Sequence, residues 1–164
     1  MNDAPITFRF DVSPEDVVRV RDLVVSTGVF TDAEVAVAEE LVQERLAKGD
    51  SSGYYFVFAE RAGRTIGYVC YGPIACTVGS FDLYWIAVDR ACQGQGLGRL
   101  LMAESERLIG AQGGRHIYIE TSNRAQYAPT RGFYLHCDYG EVAVFHDFYA
   151  PGDAKVVYVK ILAS

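Results

Sequence analysis

The sequence has no run of about 18 apolar residues, so it predicts no membrane-spanning helix. Its first residues, Met1-Asn2-Asp3-Ala4-Pro5, are not basic and lead into no apolar stretch. No secretory signal is expected there, and a cytoplasmic location follows as the expectation. Cysteine is sparse: Cys70, Cys76, Cys92 and Cys137 make no C-x-x-C pair. No His/Cys cluster has zinc-ligand spacing, so free thiols and no metal are expected. His116, His136 and His146 stand far apart and form no local metal pattern. Basic charge is also short, with 15 Lys and Arg against 21 Asp and Glu and a net charge of −6. That balance disfavours nonspecific nucleic-acid binding and mildly favours a cationic partner such as an amine. The five prolines form no linker tract and no repeat is present, so one domain over residues 1–164 is the economical reading.

What is present is ample core material, half of the residues being hydrophobic, in alternating element patterns. Ile6–Phe10 alternates and predicts a strand. Ser13-Pro14-Glu15-Asp16 predicts a helix start with Ser13 as N-cap, the helix fading near Gly28. Thr31 with Glu34 predicts a capping box, opening a helix that runs to Lys48 and stops at Gly49. Tyr54–Glu60 and Thr65–Tyr71 read as a hairpin around Gly63, and Phe81–Val88 as a further strand. Gly96–Ala111 has helical apolar spacing and ends at Gly113-Gly114. His116–Glu120 is a strand, and a helix lies around Pro129–Cys137. Strands near Glu141–Phe148 and Lys155–Leu162 close the chain, turning at Pro151-Gly152-Asp153. The order predicts an α+β fold: a mixed, mostly antiparallel sheet of about seven strands flanked by about four helices. The unit from Phe81 to Glu120 should be a parallel, right-handed crossover.

One segment carries chemistry. Gln93-Gly94-Gln95-Gly96-Leu97-Gly98 lies between a strand and a helix N-terminus. Glycines let a ligand approach the backbone, unpaired amides point outward, and the helix dipole adds positive charge. Arg90 and Arg99 flank the loop. The G-x-G-x-G spacing departs from the dinucleotide fingerprint, and no Gly-Lys-Ser/Thr follows as a P-loop requires.

The pattern Gln93-x-x-Gly96-x-Gly98, preceded by Leu83-Tyr84-Trp85-Ile86-Ala87-Val88, resembles motif A of the GNAT acetyltransferases, and the order of elements matches that family along essentially the whole chain. The resemblance implies acetyl-CoA as co-substrate. Gln93, Gly94, Gln95, Gly96, Leu97, Gly98 and Arg99 would hold its pyrophosphate, and Ile86, Ala87 and Val88 would contact its pantetheine arm. A backbone amide, that of Val88, would stabilise the thioester oxygen. Downstream, Tyr127 to Tyr139 reads YAPTRGFYLHCDY. Tyr134, after Phe133, matches the tyrosine that protonates the leaving thiolate in that family. Tyr127 stands where the family usually has Asn, and Asp138 where it usually has Gly.

Acetylation of an amine also requires a proton acceptor, because an alkyl ammonium is not nucleophilic. Asp82 stands eleven positions before Gln93, where some family members carry a glutamate base; Glu120, beside Thr121, Ser122 and Asn123, is the alternative. Phe30, Tyr71 and Tyr127 are candidate acceptor contacts, and Arg124 and Arg131 could bind an acceptor carboxylate. The expected reaction is direct transfer of acetyl from acetyl-CoA to a primary amine of a small, amino-acid-like molecule. The alternatives are a protein or peptide N-acetyltransferase and a noncatalytic acyl-CoA sensor. The aromatic stretch Asp147–Asp153 reads as a long hairpin connection that covers the acceptor site or pairs with a second copy.

Overall fold

The computed structural model describes residues 4–163. The first three residues, on which the reading of a non-basic N-terminus rests, lie outside the described residues, as does Ser164. The elements are β1 (Ile6–Arg9), α1 (Asp16–Thr27), α2 (Asp32–Lys48), β2 (Tyr55–Arg61), β3 (Arg64–Pro73), β4 (Ser80–Val88), α3 (Leu97–Ala111), β5 (His116–Ser122), α4 (Ala128–His136), β6 (Gly140–Ala150) and β7 (Asp153–Ile161). The strands form one mixed sheet in the order β1-β2-β3-β4-β5-β7-β6, mostly antiparallel, with β4 and β5 parallel. This is the α+β architecture the element order predicts. The described residues fall into two compact units, one running to Gly72 and resuming at Trp85–Ser105, the other comprising Pro73–Tyr84 and the chain from Glu106 onward.

In the first unit, helical spacing places Val20, Leu23 and Val24 of α1 beside Val35, Ala38 and Val42 of α2. They share a core with Phe56 and Phe58 of β2 and Tyr68 and Cys70 of β3. Each such valine or leucine side chain contributes about 1.5–3 kcal/mol on burial. α2 opens on the predicted capping box: Glu34 N–H donates to Thr31 Oγ1 at 3.3 Å, and Thr31 N–H to Glu34 Oε2 at 2.7 Å.

The start of α1 differs from expectation, because Ser13 is not its cap. Ser13 instead donates through its N–H (2.8 Å) and hydroxyl (3.2 Å) to Asp16, which also accepts two bonds from Arg9 at 2.9 Å and one from Arg19 at 3.1 Å. Asp16 is fully buried. Burial alone would raise its pKa; the bonds from Arg9, Ser13 and Arg19 outweigh that and hold it low. A carboxylate three residues on is the stronger acceptor, so the serine becomes a donor and the helix begins at Asp16.

On the other side of the strands, α3 comes close to β3. A Cβ at Gly67 would lie 3.0 Å from Leu101 Cδ1 and 3.2 Å from the Ala87 carbonyl.

In the second unit, β4 pairs with β5 through Ser80↔His116, Phe81↔Ile117 and Asp82↔Tyr118. β5 pairs with β7 from His116↔Ile161 to Ser122↔Lys155. The segment read from sequence as a long connection is mostly strand: β6 reaches Ala150, which pairs with Asp153 and leaves a turn at Pro151-Gly152. The extra length is absorbed as a bulge. The register slips between Phe145 and Ala150, Asp147 adopts φ 55°, and its carboxylate accepts the Gly152 N–H at 2.7 Å.

α4 ends in a Schellman motif, with Tyr139 N–H bonded to the Tyr134 carbonyl and Asp138 N–H to that of Leu135, both at 3.1 Å. Asp138 holds the left-handed position, at φ 67°, that glycine usually fills. The turn therefore survives the departure noted in the sequence, at a conformational cost.

Gly67→Val is expected to destabilise the protein by about 1–3 kcal/mol through overpacking, read as a lower urea midpoint at unchanged slope. Asp138→Gly is expected to raise stability by the order of 1 kcal/mol in the same assay.

Candidate active site

The glycine loop belongs to the first unit. β4 ends at Val88, and Asp89 turns the chain: its N–H bonds the Ile66 carbonyl at 2.9 Å and its carboxylate caps the following turn at Ala91 N–H, also at 2.9 Å. Arg64 pairs with the same carboxylate at 2.7 Å. Gln93 then donates through its side chain to the Val88 carbonyl at 3.2 Å, and Gln95 to the Ala91 carbonyl at 3.3 Å. Both glutamines thus fasten the loop to itself. Arg61 of β2 donates to Gln95 Oε1 at 3.4 Å.

Gly94 and Gly96 adopt φ 75° and 79°, and a Cβ at either would meet nothing within 4 Å. Both glycines are required by backbone conformation, and the space beside them is open, as a backbone cradle for a phosphate requires. The first helical bond of α3 runs from Leu100 N–H to the Gly96 carbonyl at 3.2 Å. The amides of Gly96, Leu97 and Gly98 precede it and have no acceptor within the helix. Leu97 is buried and its side chain lies beside Gly67, so only its backbone can serve the loop. Arg99 is exposed on the first turn. Ile86, Ala87 and Val88 form the end of β4, with Ala87 in the core. Arg90 turns away: its N–H bonds Ser26 Oγ at 3.4 Å, and its guanidinium lies beside Gly28 at the C-terminus of α1.

Two proposed acceptor contacts lie in this unit. Phe30 is half-buried, its ring 5.0 Å from that of Trp85. Tyr71 is buried and stacked on Tyr55 at 5.6 Å.

In the second unit, strand register sorts the remaining candidates. Residues paired across a sheet share a face, and alternate residues of a strand do too. Asp82 pairs with Tyr118, Glu120 follows two residues on, Ser122 pairs with Lys155, and Lys155 with Phe145. One face therefore carries Asp82, Glu120, Lys155 and Phe145. Lys155 Nζ donates to Glu120 Oε1 at 3.3 Å. Burial raises the pKa of Asp82, Glu120 raises it further, and Lys155 opposes the rise.

The opposite face carries Tyr158, and Tyr134 of α4 lies against it with ring centroids 5.8 Å apart. Tyr134 is buried, which pushes its phenol pKa up, so it stays protonated across physiological pH. Tyr139 packs on it at 6.4 Å and donates to Glu106 at 3.2 Å. Lys160 ties Glu106 to the Cys137 carbonyl, both at 3.0 Å.

Tyr127 is buried under the guanidinium of Arg124, 5.3 Å from the ring centroid. Arg124 Nε bonds Asp153 at 3.1 Å, and Arg131 donates to the carbonyls of Ser122 and Arg124 at 2.8 and 2.9 Å. Through these bonds both guanidinium groups hold the β5–α4 connection together.

Asp89, Arg61 and Lys155 escaped the sequence reading. Asp89 had a findable signal, an Asp directly after a strand and before a turn. Lys155 had none, because its neighbours come from distant strands. Among the described residues, no group of three or more His, Cys, Asp or Glu could hold a metal ion, and no helix is long and apolar enough to cross a membrane.

Residues 18–139 match the model of the acetyltransferase (GNAT) family. A crystal structure of a GNAT-family protein from Desulfovibrio desulfuricans is 46% identical, with TM-score 0.95 over 97% of this chain and 100% of that one. An aminoglycoside 6'-N-acetyltransferase complexed with coenzyme A has TM-score 0.76 at 16% identity, over 98% of both chains. The ribosomal-protein-S18-alanine N-acetyltransferase from Escherichia coli has TM-score 0.77 at 16% identity, over 98% of this chain and 96% of that one. The comparison with curated proteins gives no match.

Two outcomes follow from this geometry. Asp89→Ala removes the cap that shapes the loop and is expected to weaken coenzyme A binding about ten-fold by calorimetry, with the fold retained. Asp82 has a folded pKa above its ordinary value of 3.8, so its contribution to stability is favourable below that pH and is lost as pH rises through the folded value. Asp82→Asn is therefore expected to raise Tm at pH 7, and the gain should vanish below about pH 4.

Proposed function

The chain belongs to the acetyltransferase (GNAT) family and is an acetyl-CoA-dependent acetyltransferase; from that premise we propose that it acetylates a primary amine of a small, cationic or amino-acid-like acceptor by direct transfer. The observation that carries this reading is the division of proton chemistry between two faces of the same strands. Two carboxylates, half-buried Asp82 and exposed Glu120, lie on one face, and a buried, protonated Tyr134 on the other.

Acetyl-CoA supplies the acetyl group as an activated thioester. The loop from Gln93 to Arg99 fits its pyrophosphate, because Gly94 and Gly96 leave open space where amides point outward. Ile86–Val88 supply backbone for the pantetheine arm, and the Val88 amide polarises the thioester oxygen. The acceptor arrives as an ammonium, and the carboxylates attract it. Asp82 takes its proton, directly or through water, with Glu120 as the alternative acceptor. Its raised pKa keeps it closer to the working range of a general base than an exposed aspartate would be. Tyr134 gives a proton to the leaving sulfur. Holding amine and thioester together accounts for much of the acceleration.

The family match spans both compact units, which supports one catalytic domain. Exposed Val142, Val144, Phe145 and Phe148 on the outermost strand, β6, favour a homodimer, checked by sedimentation.

The test is thiol release from acetyl-CoA with amino acids, polyamines, aminoglycosides and short peptides. Turnover of a small amine that falls ten-fold or more in Tyr134→Phe and in Asp82→Asn is the expected result. Turnover confined to peptides would move the acceptor to protein termini. Coenzyme A binding with no thiol release from any acceptor would favour a sensor.

A further inference from the structure

Lys155 is the least expected charge in the second unit. Its side chain is only 14% exposed, yet it stands on the same face as the two carboxylates. Three contacts hold its ammonium. Glu120 Oε1 lies at 3.3 Å, the ring of Phe148 at 4.1 Å and that of Phe145 at 5.1 Å from the centroids. Phe145 is its direct cross-strand partner on β6, and Phe148 follows within the bulged stretch of that strand. Ring faces attract a cation and exclude water from one side of it, so the lysine is fixed rather than sweeping through solvent. Phe148 is 54% exposed, so burial of its own ring does not account for its position.

We propose that Lys155 is a positioning residue: clamped by Phe145 and Phe148, its ammonium neutralises one charge of the Asp82–Glu120 pair and so sets the face that the acceptor meets at a single negative charge. This rests on the reading of Asp82 as the proton acceptor and deepens it, because it names the acceptor class. Two uncompensated negative charges on this face would draw dications and would push the Asp82 carboxyl toward its protonated form. With the lysine in place, the face suits one ammonium at a time and leaves Asp82 ionised to receive its proton. The charged groups acting on Asp82 are Glu120 from β5 and Lys155 from β7, and they act in opposite directions.

The test is a carbon-13 NMR titration of the Asp82 side-chain carboxyl, assigned with Asp82→Asn, in the wild type, Lys155→Met and Lys155→Arg. The expected result is a midpoint about one pH unit higher in Lys155→Met and restored in Lys155→Arg. In parallel, kcat/KM for 1,5-diaminopentane relative to pentylamine should rise about three- to ten-fold in Lys155→Met, mainly through KM. If Lys155→Met does not fold, Lys155→Gln gives the same reading with a polar chain. An unchanged Asp82 midpoint in a folded variant overturns the inference, whatever the enzyme turns over. Absence of amine turnover in the wild type overturns the functional reading instead, and the titration still decides the role of Lys155.

Discussion

The parallel ladder between β4 and β5 is the constraint on which the chemistry of the second unit depends. It runs for three residue pairs, ending at Asp82↔Tyr118, while β4 continues to Val88 and β5 to Ser122. Those pairs fix which side of the sheet each later residue takes. A slip of one residue would send Asp82 to the face that carries Tyr158 and would carry Tyr118 away from it. Because β5 is in turn locked to β7 along its whole length, the register is transmitted to Lys155 and Phe145 with no further specification.

A second constraint governs the loop. Its shape comes from side chains that bond the loop's own backbone: Asp89 to Ala91, Gln93 to Val88, Gln95 to Ala91. Conformations that an L-residue avoids are assigned to Gly94 and Gly96, and nothing crowds the space beside them. α3, whose N-terminus the loop forms, is seated against β3 at Gly67, where a side chain would collide with Leu101. The amides before Leu100 are therefore held in place before any phosphate arrives, which is the condition for binding without reorganisation.

Much of this was legible in the sequence, and the reasons differ by feature. The box at Thr31 and Glu34 could be read because both partners lie within one turn. The glycine loop could be read because its demands are local. Ser13 misled for an equally physical reason: the competition for its donors came from Asp16, and the cations that stabilise a buried Asp16 include Arg9 on another element. The β6 bulge hid because Asp147 carries the left-handed conformation that a glycine would have announced. Asp138 shows the converse, a position where a missing glycine did not mean a missing turn. Lys155 was invisible in principle, since the groups that hold its ammonium come from two other strands, β5 and β6, and nothing in its local sequence marks it.

The bulge in β6 has a further consequence, for how the molecule behaves in a crowd. β6 is the last strand of its sheet, eleven residues long and exposed almost throughout. A straight edge of that length, rich in valine and aromatic residues, is a template onto which a stray strand from another chain can add. Register breaks between Glu141 and Ala143 and between Phe145 and Ala150, the second with Asp147 bent to a positive φ, divide that edge into shorter stretches. A strand arriving from outside would meet matching donors and acceptors over only one of them. The kink thus guards against open-ended strand addition while leaving the outward aromatic side chains available for a defined contact.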